Sequence, residues 1–297
     1  MNEVTTIDTN NFAAMSEAMG MGAESKKSSS KSSTLARLRI HHTPIMGEQE
    51  IAGKMKKVEV IAGGAYKLEI PDGETLYAEG VVLRPFLQRF MYKKFIKGNE
   101  NTANRFLKTV MANNLNSDMK DNEGGFNCGK PAGYIKDWAA LPDNMKDLIK
   151  SIKRVRALFG TVQLVGATDE KGNAVEVDAT PFIWEIDNRD AFKTMGDMFT
   201  KLEKMRRLPP QHNITLSTRE VPLPNGSSFF VPEAELDLST TLEMENEAQE
   251  VFASFIAWIA NYNTYILGAW DENMHKNEEV DMDTVEEFVD ITAEEFV

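Results

Sequence analysis

The chain has 297 residues, 42% hydrophobic and 27% charged, an ordinary globular composition with enough length to bury a sizeable core. Its single cysteine, Cys128, excludes a disulfide framework and a thiolate-rich zinc site, and suits a reducing compartment. The net charge of −13 hides an asymmetry: residues 220–297 hold 19 acidic residues and one lysine, whereas residues 26–156 hold 24 basic and 14 acidic ones. A basic body followed by an acidic third points to nucleic acid on one side and an acidic tail on the other. No apolar run is long enough for a membrane span, and Glu3 and Asp8 stand where a secretory leader would be apolar, so a cytoplasmic location is expected.

Residues 1–33 are small and polar and end in a Lys/Ser tract, Lys26 to Ser33, which predicts a flexible basic arm. Thr34–Ile40 alternates apolar and basic residues and reads as a first strand. His41 and His42 follow it as surface histidines, with no Cys, Asp or Glu at ligand spacing. Val58–Phe95 reads as strands, punctuated by turns at Gly63-Gly64 and Pro71-Asp72-Gly73, with Pro85 marking an edge or a bulge. Phe106, Val110 and Met111 suggest a helix over 101–115, and the glycine-rich segment 116–136 suggests a long loop. A helix over 142–152 leads into a strand over 158–165, a turn at Asp169–Asn173, and a returning strand over 175–184. An amphipathic helix over 188–207 stops at Pro209-Pro210, and a hairpin turns around Pro224-Asn225-Gly226. The longest helical signal, 244–270, repeats Ala248, Val251, Phe255, Ile259, Tyr262 and Ile266 at threes and fours. That stripe reads as a core-packing face, with a homo-oligomer contact as the alternative.

Between Arg84 and Phe95 cations interleave with aromatic rings: Arg84, Phe86, Arg89, Phe90, Tyr92, Lys93 and Lys94. Proteins that bind single strands combine a cationic groove for phosphates with rings that stack on bases. A regular strand would put Phe90 and Tyr92 opposite Arg89 and Lys93, so further cations are expected from Arg105, Lys108, Lys130, Lys153, Arg154 and Arg156. The acidic end carries spaced apolar residues that a purely solubilising tail would not need. Its partner-binding candidates are Glu286, Glu287, Phe288, Asp290, Glu294, Glu295, Phe296 and Val297.

This organisation, with the terminal Asp290-Ile291-Thr292-Ala293-Glu294-Glu295-Phe296-Val297, resembles the single-stranded DNA-binding proteins of tailed bacteriophages. The resemblance implies an OB-fold barrel and sequence-independent binding of single-stranded DNA in replication or recombination. It also implies an acidic tail that competes with DNA and recruits a polymerase, helicase or primase. The chain departs from several such proteins in placing Val297 after Phe296, and its one cysteine argues against the zinc ion that some of them hold.

The resulting expectation is an α+β protein: an OB-like antiparallel barrel with inserted helices and a long C-terminal helix. The arm would span 1–33, the nucleic-acid-binding domain 34–272 and the regulatory tail 273–297. No cofactor, metal or catalytic residue is expected. Cys128 in Asn127-Cys128-Gly129-Lys130 lacks a base at recognisable spacing, and that segment lacks the phosphate-loop pattern. The competing reading is a virion structural or assembly protein with a solvated acidic tail.

Overall fold

The computed structural model describes residues 35–51, 54–71, 73–99, 103–133, 135–224, 226 and 228–294, without the side chains of 49–51 and 276–294. The expected arm over 1–33 and the side chains of Glu286, Glu287, Phe288, Asp290, Glu294, Glu295, Phe296 and Val297 lie outside the described residues.

The strand β6 (Gly80–Ile96) is the spine of a mixed nine-stranded sheet. Its 17 residues contain the cation-and-ring stretch. From Gly80 to Lys94 β6 pairs antiparallel with β8 (Ile152–Val165). On its other edge the early residues Val81–Leu83 meet β10 (Ile214–Pro222), and the late residues Lys93–Ile96 meet β7 (Arg105–Lys108). Beyond β10 lies β11 (Ser228–Leu236). Beyond β8 come β9 (Thr180–Ile186), β1 (Ala36–Ile40), β4 (Tyr66–Glu69) and β5 (Thr75–Ala78). The pairing of β1 with β9 is parallel and the rest are antiparallel, so the sheet is mixed rather than purely antiparallel. The path from β11 to β5 is open and does not close into a barrel. Tyr77 on β5 does exchange two backbone hydrogen bonds of 2.8 Å with Thr168, just past the end of β8. A separate hairpin, β2 (Ile45–Ile51) and β3 (Lys54–Ile61), extends the expected strand at 58–61 back to Lys54.

Pro85 behaves as its chemistry predicts. It has no N–H to give to the ladder, and the β6–β8 register shifts between Pro85 and Leu87. Gly160 lies opposite; a Cβ there would stand 2.3 Å from the carbonyl oxygen of Arg84.

Among the described residues three α-helices complete the fold. The short α1 (Asp143–Ser151) leads directly into β8. In α2 (Arg189–Lys204), the N-cap Asn188 accepts from the backbone N–H groups of Asp190 and Ala191, and Lys201 and Lys204 sit in the last turn. Its buried face, Ala191, Met195, Phe199 and Leu202, joins one core with Leu38, Leu68, Leu83, Leu158 and Trp184. The helix expected over 101–115 does not form; that segment is β7 followed by extended backbone bridging Phe90. Leu107, Thr109 and Met111 are buried while Phe106, Lys108 and Val110 are more exposed, which is the period of a strand.

The long helix α3 (Asn246–Glu294) begins near the expected point and runs on to Glu294, about 73 Å at the usual rise per residue. Ala248, Phe255 and Ile259 pack on Phe86, Met91, Phe159 and Ile183 in a second core. Further along, α3 takes the place of a strand partner for the backbone of 109–125. Asn263 accepts from Met111 N–H at 2.7 Å and donates to Met111 C=O at 3.0 Å. Tyr262 donates to Thr109 C=O, Trp270 to Gly125 C=O and Asn273 to Asn122 C=O. Asn263→Ala is expected to destabilise the chain by about 2 kcal/mol, because it leaves two partly buried backbone groups of Met111 unpaired. Denaturant unfolding should show that loss, together with faster hydrogen exchange at the Met111 amide than at the β6–β8 amides.

Candidate functional site

The register of β6 and β7 resolves the ring-and-charge conflict in the sequence. Lys93 stands opposite Lys108, and Phe95 opposite Phe106, so all four share one face of the ladder. Phe95 is 50% exposed and Phe106 48%, with their ring centroids 5.3 Å apart. The Lys93 ammonium lies 4.7 Å from the Phe106 centroid. The exposed rings of this stretch are therefore Phe95 and its partner, not Phe86 or Tyr92.

This face borders a cleft of about 430 Å³, lined from β1 by Arg37 and Arg39, from β6 and β7 by Lys93, Phe106 and Lys108, and from β11 by Phe230. Arg37 and Arg39 follow the period of the strand, so both point outward while Ala36 and Leu38 enter the core. His42 donates no proton to its neighbour here: its Nδ1 accepts from Phe230 N–H at 3.2 Å, and the two rings stack at 6.4 Å. Burial lowers the pKa of His42, which suits this acceptor role. Glu185 on β9 accepts from Lys93 Nζ at 3.0 Å and from Lys108 Nζ at 3.2 Å. Burial pushes the Glu185 carboxyl upward, but the Lys108 and Lys93 ammoniums outweigh it and leave it below the usual carboxylate range. The cleft thus combines outward guanidiniums, two lysines shared with a carboxylate, and an exposed ring, Phe106.

The other expected residues are dispersed. Lys93 and Lys108 line the cleft. Phe86, only 4% exposed, packs edge-on against Phe255, and Tyr92, 3% exposed, donates its hydroxyl to Leu115 C=O; neither ring is available to stack on a base. Arg84 is occupied by the backbone carbonyls of Pro210 and Glu243. Arg156, expected to meet phosphate, is buried: its guanidinium lies 5.0 Å from the Phe90 centroid and 4.5 Å from that of Phe192, and it contacts Gln88 Oε1. Burial pushes its pKa down to about 10, with Asp197 pulling the other way. Gly196 makes room for it, since a Cβ there would come within 2.7 Å of Arg156 Nη2. Phe90 and Arg156 therefore hold α2 to the sheet. Arg154 remains exposed, 5.9 Å from the Phe192 centroid.

Arg89 is half-buried and donates to Gln88 C=O, and burial lowers its pKa. Arg105 is exposed and paired with Glu123. Lys130 donates to the carbonyls of Pro131 and Gly133. Lys94 is half-buried, and Lys153 is exposed opposite Lys93. Arg37, Arg39, Phe106 and Phe230 are cleft residues that sequence reasoning passed over. The alternation Arg37-Leu38-Arg39 carried the signal for the first two.

Cys128 is 1% exposed, and burial, reinforced by Asp121, pushes its thiol up to about 12, so it is protonated at neutral pH. Among the described residues no cluster of His, Cys, Asp and Glu could hold a metal ion, and no helix is long and apolar enough to cross a membrane. Comparison with protein-family models, with curated proteins and with solved structures finds no match to this chain.

Proposed function

We propose that this protein binds single-stranded DNA of any sequence, in DNA replication or recombination, through the cleft between β1 and the β6–β7 ladder. The observation that carries this reading is the meeting of outward cations, Arg37 and Arg39, with an exposed ring, Phe106, in one cleft. Phosphates would lie along Arg37 and Arg39, and bases would stack on Phe106 and Phe95 in place of the buried Phe86 and Tyr92. The exposed cations Arg105, Lys153 and Arg154 would extend the phosphate path. The acidic residues of 276–297 would compete with DNA for these cations and recruit replication proteins. We also read the sheet as a variant of the OB architecture. The support is the antiparallel run β1–β4–β5 together with the Tyr77–Thr168 bridge, which brings β5 back to the end of β8.

The test is a salt titration with a labelled mixed-sequence single strand. Log affinity should fall linearly with log salt, by about 0.7 for each phosphate contacted. Deletion of 276–297 should tighten binding. Absence of binding at low salt, by the full chain and the truncated chain alike, would overturn the proposal.

A further inference from the structure

The cleft contains a carboxylate that a phosphate track does not need. Glu185 lies opposite the short side chain of Ala157 in the β8–β9 ladder. The Glu185 side chain is 29% exposed. A carboxylate has about four acceptor positions, two on each oxygen. Lys93 takes one on Oε2 and Lys108 one on Oε1, so each oxygen retains one for a ligand. Asp187, just past the end of the same strand, also lines the cleft.

A phosphate inserted between Lys93 and Lys108 would strip Glu185 of both partners and leave a half-buried carboxylate uncompensated, an unfavourable exchange. This part of the cleft suits a group that donates hydrogen bonds. Within a DNA strand the donors are the N–H groups of the bases. Guanine carries two adjacent donors, N1–H and N2–H, on its Watson–Crick edge, arranged in parallel as a carboxylate accepts them. Cytosine and adenine offer one amino group each. Thymine sets its single N3–H between two carbonyl oxygens, which a carboxylate repels. Phe106, 48% exposed, lines the same cleft as Glu185, with the Lys93 ammonium over its ring and bonded to Glu185.

We infer that Glu185 gives the cleft a preference for guanine, accepting N1–H and N2–H while the ring stacks against Phe106. The preference lies over binding to any sequence and rests on the single-strand reading above. Lys93 and Lys108 hold the carboxylate in place rather than meeting phosphate themselves.

The experiment uses the full chain and three strands of equal length: oligo(dT), oligo(dT) with several guanines, and the latter with inosine for each guanine. Inosine keeps the purine ring and N1–H but lacks the N2 amino group. The guanine strand should bind about fivefold or more tighter than oligo(dT), the range of a bidentate base contact, and inosine should lose most of that gain. Glu185→Gln should bring the guanine-to-thymine ratio to about one while tightening oligo(dT), because it frees two lysines. Equal affinity of the natural chain for all three strands would overturn the inference, as would a guanine preference that persists in Glu185→Gln. The inosine comparison decides the matter without any variant. Failure of every strand to bind at low salt would instead overturn single-strand binding itself.

Discussion

Arg37→Ala combined with Arg39→Ala is expected to weaken binding of a mixed-sequence single strand about 25-fold at 0.1 M salt. Each phosphate contact on a single strand contributes about 0.7 of a decade in affinity per decade of salt below 1 M, so two contacts contribute about 1.4 decades. The salt slope should become shallower by about 1.4. The loss should be the same for every sequence, because phosphates carry no base identity. Folding should be little affected. Both side chains face outward from β1, and the Arg39–Glu69 pair, 3.7 Å apart and partly solvated, contributes little to stability. An unchanged affinity and slope in the double variant would move the phosphate path away from β1.

The largest effect on stability is expected from Gly160→Ala. The two longest strands, β6 and β8, are in contact here, and the bulge at Pro85 brings the Arg84 carbonyl against the Gly160 Cα. An added Cβ would meet backbone atoms at 2.3 Å, 3.0 Å and 3.1 Å, none of which can swing aside as a side-chain tip would. Relief requires parting the central ladder. The cost is expected to be about 3 kcal/mol, at the upper end for overpacking, with a fall in melting temperature of roughly 6–12 °C. Thermal melting followed by circular dichroism measures it. A melting temperature within a degree or two of the natural chain would show that the bulge is loose.

Much of the frame is legible from local chemistry. Pro85 announces its bulge, because a residue without an N–H disrupts a central ladder. Asn188 and Pro209-Pro210 bracket α2, and the threes and fours from Ala248 to Ile266 locate the packed part of α3. The misreading of 101–115 has a specific cause. Phe106, Val110 and Met111 fit a helical spacing, but the side chains that enter the core are Leu107, Thr109 and Met111. Thr109 reads as polar, yet it is fully buried, with its hydroxyl accepting from Tyr92 N–H. Counting apolar residues could not see that alternation.

The site was legible in composition and obscure in geometry. Arg84 to Phe95 does supply one cleft residue, Lys93, but the register with β7 decides which of its rings are exposed. That register depends on a segment whose strand character was itself hidden. Arg156 looked like one more surface cation in a basic cluster. Only the placement of Phe192 and Gly196 on a distant helix converts it into a buried plug.

The hydrogen bonds from α3 to residues 109–125 also set an order in time. Asn263 and Met111 are 152 residues apart in sequence, and the backbone groups of Met111 are satisfied by that side chain. At ordinary synthesis rates of about 5–20 residues per second, the middle of a nascent chain waits on the order of ten seconds for its clasp to be made. Until then the backbone of Thr109, Met111, Asn122 and Gly125 lacks its partners on this side. The segment that follows β7 is therefore fastened last, when the helix leading into the acidic segment docks, so an unfinished chain holds it without its clasp.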